Sequence, residues 1–128
     1  MRLFQKLLHR LFSFLAPTPH PETTKKAVRV PIGKTSDFPQ GRGTPVVAAG
    51  RRLAVFRLGE ELFALHNACP HNRVPLSSGI VSDQVLICRA HGARFDLKTG
   101  QVLRGPARKP VRTYPVHYSG ETIEVEID

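Results

Sequence analysis

Residues 69–101 read CPHNRVPLSSGIVSDQVLICRAHGARFDLKTGQ. This stretch holds both cysteines of the chain and two of its six histidines, as Cys69-Pro70-His71 and Cys88-Arg89-Ala90-His91. One residue separates Cys from His in the first pair and two in the second, and sixteen residues lie between the pairs. Each pair follows a short apolar run, residues 62–65 or 85–87, and opens a loop that contains Gly or Pro. Gly tolerates positive φ and Pro fixes the chain direction, so loops of this composition wrap closely around an ion or cluster. Thiolate and imidazole together select zinc or iron–sulfur chemistry over magnesium or calcium, which take oxygen ligands. Every cysteine belongs to the pattern, so the cysteines read as ligands rather than as isolated core residues. Spacing alone leaves the choice between the two metals open.

Around this stretch the chain reads as one small β domain. Its 128 residues leave room for one modest core and not for a second catalytic domain. Two cysteines cannot build the disulfide framework of thin-cored secreted domains. From residue 28 onward no helical period lasts beyond a turn or two. Short alternating or β-branched runs recur instead at residues 28–32, 45–48, 53–58, 62–66, 85–87, 111–117 and 122–127. Gly or Pro punctuates nearly every gap, and Gly59-Glu60 between two of the runs predicts a hairpin. The expected fold class is all-β, a small antiparallel β-barrel or sandwich.

The chain carries 19 Lys and Arg against 10 Asp and Glu, a formal net charge of +9. Such an excess points to nucleic acid, an anionic membrane surface or an acidic protein partner without choosing among them. Its distribution is segregated. Residues 1–30 carry six basic groups against Glu22, and residues 73–112 carry eight against Asp83 and Asp96. The last sixteen residues hold four acids and neither Lys nor Arg. Residues 1–16, MRLFQKLLHRLFSFLA, place Leu3, Phe4, Leu7, Leu8, Leu11, Phe12 and Leu15 on one face of a 3.6-residue period, opposite a basic face. An amphipathic helix over 1–16 is predicted. It is too short and too charged to span a bilayer, which takes about 20 apolar residues. Arg10 also interrupts the apolar run that a secretory signal needs. Contact of residues 2–15 with a membrane surface or a partner's groove is one expectation for this helix, and packing on its own domain is the other. Residues 17–27, with three prolines within five positions, predict a semi-rigid linker, and the domain proper covers 28–128.

Residues 69–101 resemble the two cluster-binding loops of Rieske [2Fe-2S] proteins, in which two cysteines hold one iron and two histidines the other. The resemblance rests on Cys-x-His, a sixteen-residue spacer, Cys-x-x-His-Gly, then Phe95-Asp96 and Thr99-Gly100, and it continues more loosely over residues 46–128. Gly105-Pro106-Ala107 resembles the proline loop that covers the cluster in this family. The segment VRTYPV, with CPHN and PLSSGIV, looks most like the small Rieske subunit of assimilatory NAD(P)H nitrite reductase. Rieske ferredoxins that feed aromatic-ring dioxygenases are nearly as similar. Asn72-Arg73-Val74 departs from the small or Gly-containing stretch that relatives carry at this place.

The resemblance implies one Rieske-type [2Fe-2S] cluster, with Cys69 and Cys88 as thiolate ligands of the inner iron. His71 and His91 would bind the outer iron through Nδ1, leaving Nε2 near solvent where a redox partner docks. It also implies the Rieske iron–sulfur fold, a small β-barrel or sandwich bearing a cluster-binding subdomain of two loops, here behind the amphipathic helix. Because the protein supplies all four ligands, neither iron keeps an open position, and electron transfer is the chemistry that remains. Two thiolates neutralise the oxidised core whereas four would leave it dianionic, which is why histidine ligation raises the potential. High-potential relatives place a Ser and a Tyr shortly after the last histidine and carry an extra disulfide. Here those positions read Ala93 and Phe95, and no further cysteine exists. A low potential is therefore expected, near the lower end of a range of about −150 to +300 mV.

The implied function is a one-electron carrier, a ferredoxin or small electron-transfer subunit of a nitrite reductase or ring-hydroxylating dioxygenase system. Such a carrier is a non-catalytic component of an oxidoreductase system, cytoplasmic or peripherally attached to a membrane. Its partners are a reductase or terminal oxidoreductase, and not nucleic acid. The chain is also too short to add the mononuclear iron domain of a catalytic Rieske oxygenase. The alternative is a zinc-binding module that contacts nucleic acid. Against it, no recognition-helix pattern follows the second pair, and zinc fingers group Cys with Cys. Arg73, Arg89, Arg94 and Lys98 are expected to form a basic rim that steers an acidic partner. Asp96 is expected to cap the turn into Thr99-Gly100, and His66 and His117 to be structural.

Overall fold

A computed structural model describes residues 27–128. The helix expected over residues 1–16, and all but the last residue of the linker expected over 17–27, lie outside the described residues. In chain order the strands are β1 (Val28–Lys34), β2 (Gly43–Ala48), β3 (Arg51–Leu58), β4 (Glu61–His66), β5 (Ile80–Ser82) and β6 (Val85–Ile87). They continue with β7 (Arg94–Asp96), β8 (Val102–Arg104), β9 (Thr113–Tyr114), β10 (Val116–Ser119) and β11 (Thr122–Ile127). Three sheets result, in the orders β1-β11-β10, β2-β3-β4-β9 and β5-β6-β7-β8. Neighbouring strands are antiparallel in each.

The apolar run of β3 decides how the sheets stack. Leu53, Ala54, Val55 and Phe56 are all buried, the mark of a strand covered on both faces. Strand alternation sends Leu53 and Val55 one way and Ala54 and Phe56 the other. Leu53 and Val55 join Leu62, Ala64, Ile123, Val125 and Ile127 in one core cluster. Ala54 and Phe56 join Phe63, Leu65, Leu76, Leu86, Phe95 and Leu97 in the second, together with Cys69 and Cys88. The sheet containing β3 and β4 is thus the middle layer, closed on one face by the three-stranded sheet and on the other by the β5–β8 subdomain. The all-β expectation holds, in the form of a sandwich that carries a further small sheet on its second face.

Gly59-Glu60 forms the predicted hairpin, with Leu58 paired to Glu61 and Gly59 at φ +64°. β11 alternates cleanly, burying Ile123, Val125 and Ile127. The single strand predicted over 111–117 is two strands in different sheets, β9 against β4 and β10 against β11. Pro115 between them has no N–H to offer a ladder. Its carbonyl accepts the Glu126 N–H at 2.9 Å, and the chain changes sheet there. β5, β7 and β8 have three residues each and, unlike the equally short but wholly apolar β6, include polar positions and lie outside the predicted runs.

Candidate functional site

The first loop runs from the end of β4 through Cys69 to a 3₁₀ turn at Leu76–Ser78. The second connects β6 to β7, where Ile87 pairs with Arg94. The two loops share one turn geometry. In the first, the Cys69 N–H donates to the Val74 carbonyl at 2.8 Å and the Arg73 N–H to the Cys69 carbonyl at 2.7 Å. In the second, the Cys88 N–H donates to the Ala93 carbonyl at 2.8 Å and the Gly92 N–H to the Cys88 carbonyl at 3.0 Å. The residue that closes each turn is left-handed, Arg73 at φ +62° and Gly92 at φ +75°.

These turns separate the expected ligands by depth. Cys69 and Cys88 are free thiols, 1% and 2% exposed, packed in the core cluster beneath the middle sheet. His71 and His91 are exposed, their rings edge to face with centroids 5.2 Å apart. Burial pushes the Cys69 thiol above its ordinary value. The backbone N–H groups of His71 and Asn72 act the other way by favouring the thiolate, while the adjacent Cys88 thiol reinforces the upward shift.

Tetrahedral zinc gathers its ligands within about 2.3 Å of one centre. A two-iron cluster instead divides its ligands between two metals, and a buried thiol pair with an exposed imidazole pair fits that division. The division of donors by depth suits the two-iron group.

Asn72 reaches from the first loop to the second: its Nδ2 lies 3.0 Å from His91 Nδ1, the nitrogen expected to bind the outer iron, so iron there would take the lone pair this contact uses, and its Oδ1 accepts the Val74 N–H at 3.3 Å. No spacing rule pointed to Asn72, whose one signal in the sequence was its departure from the related pattern. Ala107 is buried in the same core cluster as the cysteines and anchors Gly105-Pro106-Ala107 beside them.

The expected basic rim is redistributed. Arg73 is exposed on the first loop. Arg89 donates from Nε to the Ser78 carbonyl and borders a cleft with Arg42. Lys98 lines a different cleft with Glu61 and Thr113, and Arg94 stands opposite Arg104 on the β7–β8 ladder. The proline loop supplies what the rim reading missed: Arg108 and Lys109 line a cavity of about 460 Å³ with Pro70, His71 and Pro106. Asp96 caps its turn as expected, its Oδ1 accepting the N–H groups of Lys98 at 2.8 Å and Thr99 at 3.2 Å. His117 pairs with Glu126 at 3.1 Å, away from the loops.

A Rieske [2Fe-2S] domain model matches residues 28–115. Over 97 residues the chain is 36% identical to the anthranilate 1,2-dioxygenase ferredoxin subunit of Burkholderia cepacia, covering 76% of this chain and 90% of that protein. It is 34% identical over 93 residues to the 3-phenylpropionate/cinnamic acid dioxygenase ferredoxin subunit of Escherichia coli K12, covering 72% and 87%. The ferredoxin of carbazole 1,9a-dioxygenase from Nocardioides aromaticivorans IC177 superposes with a TM-score of 0.71 at 30% identity, covering 79% of this chain and 97% of that one. A Mycobacterium tuberculosis protein assigned as an NADH-dependent nitrite reductase small subunit superposes with a TM-score of 0.74 at 26% identity, covering 81% and 98%. The family match and the division of donors by depth agree: the chain belongs to the Rieske [2Fe-2S] family, carries one Rieske-type cluster and serves in electron transfer.

Proposed function

We propose that Cys69 and Cys88 hold the inner iron as thiolates, that His71 and His91 hold the outer iron, and that a redox partner docks at the imidazole edge. The observation that carries this reading is the pair of buried thiols beneath a pair of exposed imidazoles, on two turns of the same hydrogen-bonded form. When bound, the group takes up and gives back one electron. The chain's own part is to bury the sulfur end among Leu65, Leu76 and Leu86, which keeps water from it. The backbone at His71 and Asn72 favours negative charge on the Cys69 sulfur. Purified protein is expected to be reddish-brown, with two irons and two acid-labile sulfides per chain, and Cys88→Ser to lose both. A colourless protein holding one tightly bound zinc would overturn the assignment.

The midpoint lies near the lower end of the family range of about −150 to +300 mV, because Ala93 and Phe95 are buried and bring no hydroxyl to the site. A strongly positive value in a redox titration contradicts this. The carrier serves a ring-hydroxylating dioxygenase system, a reading supported by the ferredoxin subunits it resembles at 36% and 34% identity. A second reading, small subunit of a nitrite reductase, is favoured by the TM-score of 0.74 with 98% of that chain covered. Reconstituted oxygenase turnover through this protein supports the first, and rescue of a nitrite reductase stripped of its small subunit supports the second.

The organisation that accompanies this reading is an amphipathic helix over 1–16, a linker over 17–27 and the redox domain over 28–128. A cytoplasmic place with peripheral contact through residues 2–15 rests on the basic amphipathic pattern of that segment. Among the described residues no helix is long and apolar enough to cross a membrane.

A further inference from the structure

We infer that Arg73 is held at the edge of the site as a recognition residue for an acidic group on the redox partner. This rests on the reading of the imidazole edge as the docking side. The two cysteine turns share their hydrogen bonds and both close on a left-handed residue. That conformation suits Gly and is disfavoured for a residue with a long side chain. The second turn uses Gly92, where an added Cβ would meet nothing within 4 Å. Left-handed non-glycine residues also occur at Ala49, Asp83 and Gln84, so the fold accommodates an arginine in the first turn, and what that arginine adds to the site is an exposed charge two residues from His71. Among the described residues its guanidinium has no ion-pair partner. It is exposed and follows Asn72, whose amide lies against His91, and Arg108 and Lys109 line a cavity with His71. Such an edge attracts carboxylates and repels a basic partner.

The test uses the reduced holoprotein and two small oxidants of opposite charge, ferricyanide and tris(phenanthroline)cobalt(III), by stopped flow. Each encounter moves one electron from the protein to the oxidant, giving ferrocyanide or the cobalt(II) complex. Arg73→Gly is expected to keep the visible spectrum and a melting temperature at or above that of the parent. It should slow ferricyanide oxidation about threefold at low ionic strength and speed the cobalt reaction by a similar factor. Both differences should shrink towards unity at about 0.5 M salt. Arg73→Lys should match the parent. Equal changes with both oxidants, or loss of the cluster spectrum in Arg73→Gly, would overturn the inference. The paired substitution Arg108→Gln with Lys109→Gln separates the two levels. If it shows the charge effect and Arg73→Gly does not, Arg73 is not the recognition residue and the docking edge stands. If neither shows it, the docking edge fails as well.

Discussion

Ala93 and Phe95 are positions at which one oxygen atom should retune the site without touching a ligand. Ala93 accepts the Cys88 N–H through its carbonyl, and Phe95 is fully buried one strand position beyond the loop. A hydroxyl donated to a cluster sulfur favours the reduced form, and a net hydrogen bond of about 1 kcal/mol corresponds to roughly 40 mV for a one-electron couple. Ala93→Ser and Phe95→Tyr are each expected to raise the midpoint by about that amount in a spectroelectrochemical titration. An unchanged or lowered midpoint in both would show that hydroxyls at these positions do not reach the sulfurs. At this scale the four ligand candidates were readable from spacing and residue chemistry. Asn72 was not, because its contact with His91 joins two loops that lie nineteen residues apart in the chain.

Among the elements, the turn between β7 and β8 shows how much depends on one backbone. Gly100 donates its N–H to the Asp96 carbonyl at 2.8 Å and accepts the Val111 N–H at 2.9 Å. It stands at φ +76°, and an added Cβ would overlap the Val111 carbonyl oxygen. Gly100→Ala is expected to cost on the order of 2–4 kcal/mol in denaturant unfolding, combining left-handed strain with a backbone clash. Gly59→Ala, at φ +64° in open space, should cost about 1 kcal/mol. Equal losses for the two would mean that the contact with Val111 does not matter. Long strands such as β3 and β11 were readable because burial on two faces or on one leaves a run or an alternation. β5, β7 and β8 were not, since these three-residue strands lack the wholly apolar run of β6 and take their state from pairing in the sheet around it.

For the whole molecule, the net charge of +9 divides between the N-terminal segment and the domain, so the two parts can be tested separately. Deleting residues 1–20 is expected to abolish sedimentation with anionic vesicles while leaving the cluster spectrum intact, and an unchanged sedimented fraction would count against surface contact. Residue order by itself determined the β class, the Gly59-Glu60 hairpin and the paired thiol and imidazole donors, since these depend on neighbours a few positions away. The tertiary structure decided which donors are buried and which are exposed, and it brought the loops within reach of each other through Asn72. It also decided the basic edge, taking Arg89 and Lys98 into other clefts and bringing Arg108 and Lys109 to His71. Charge order along a chain says nothing about which loops the packing of a middle sheet will bring together. The buried faces of β3 and β4 made that choice, because each had to be covered by a separate layer.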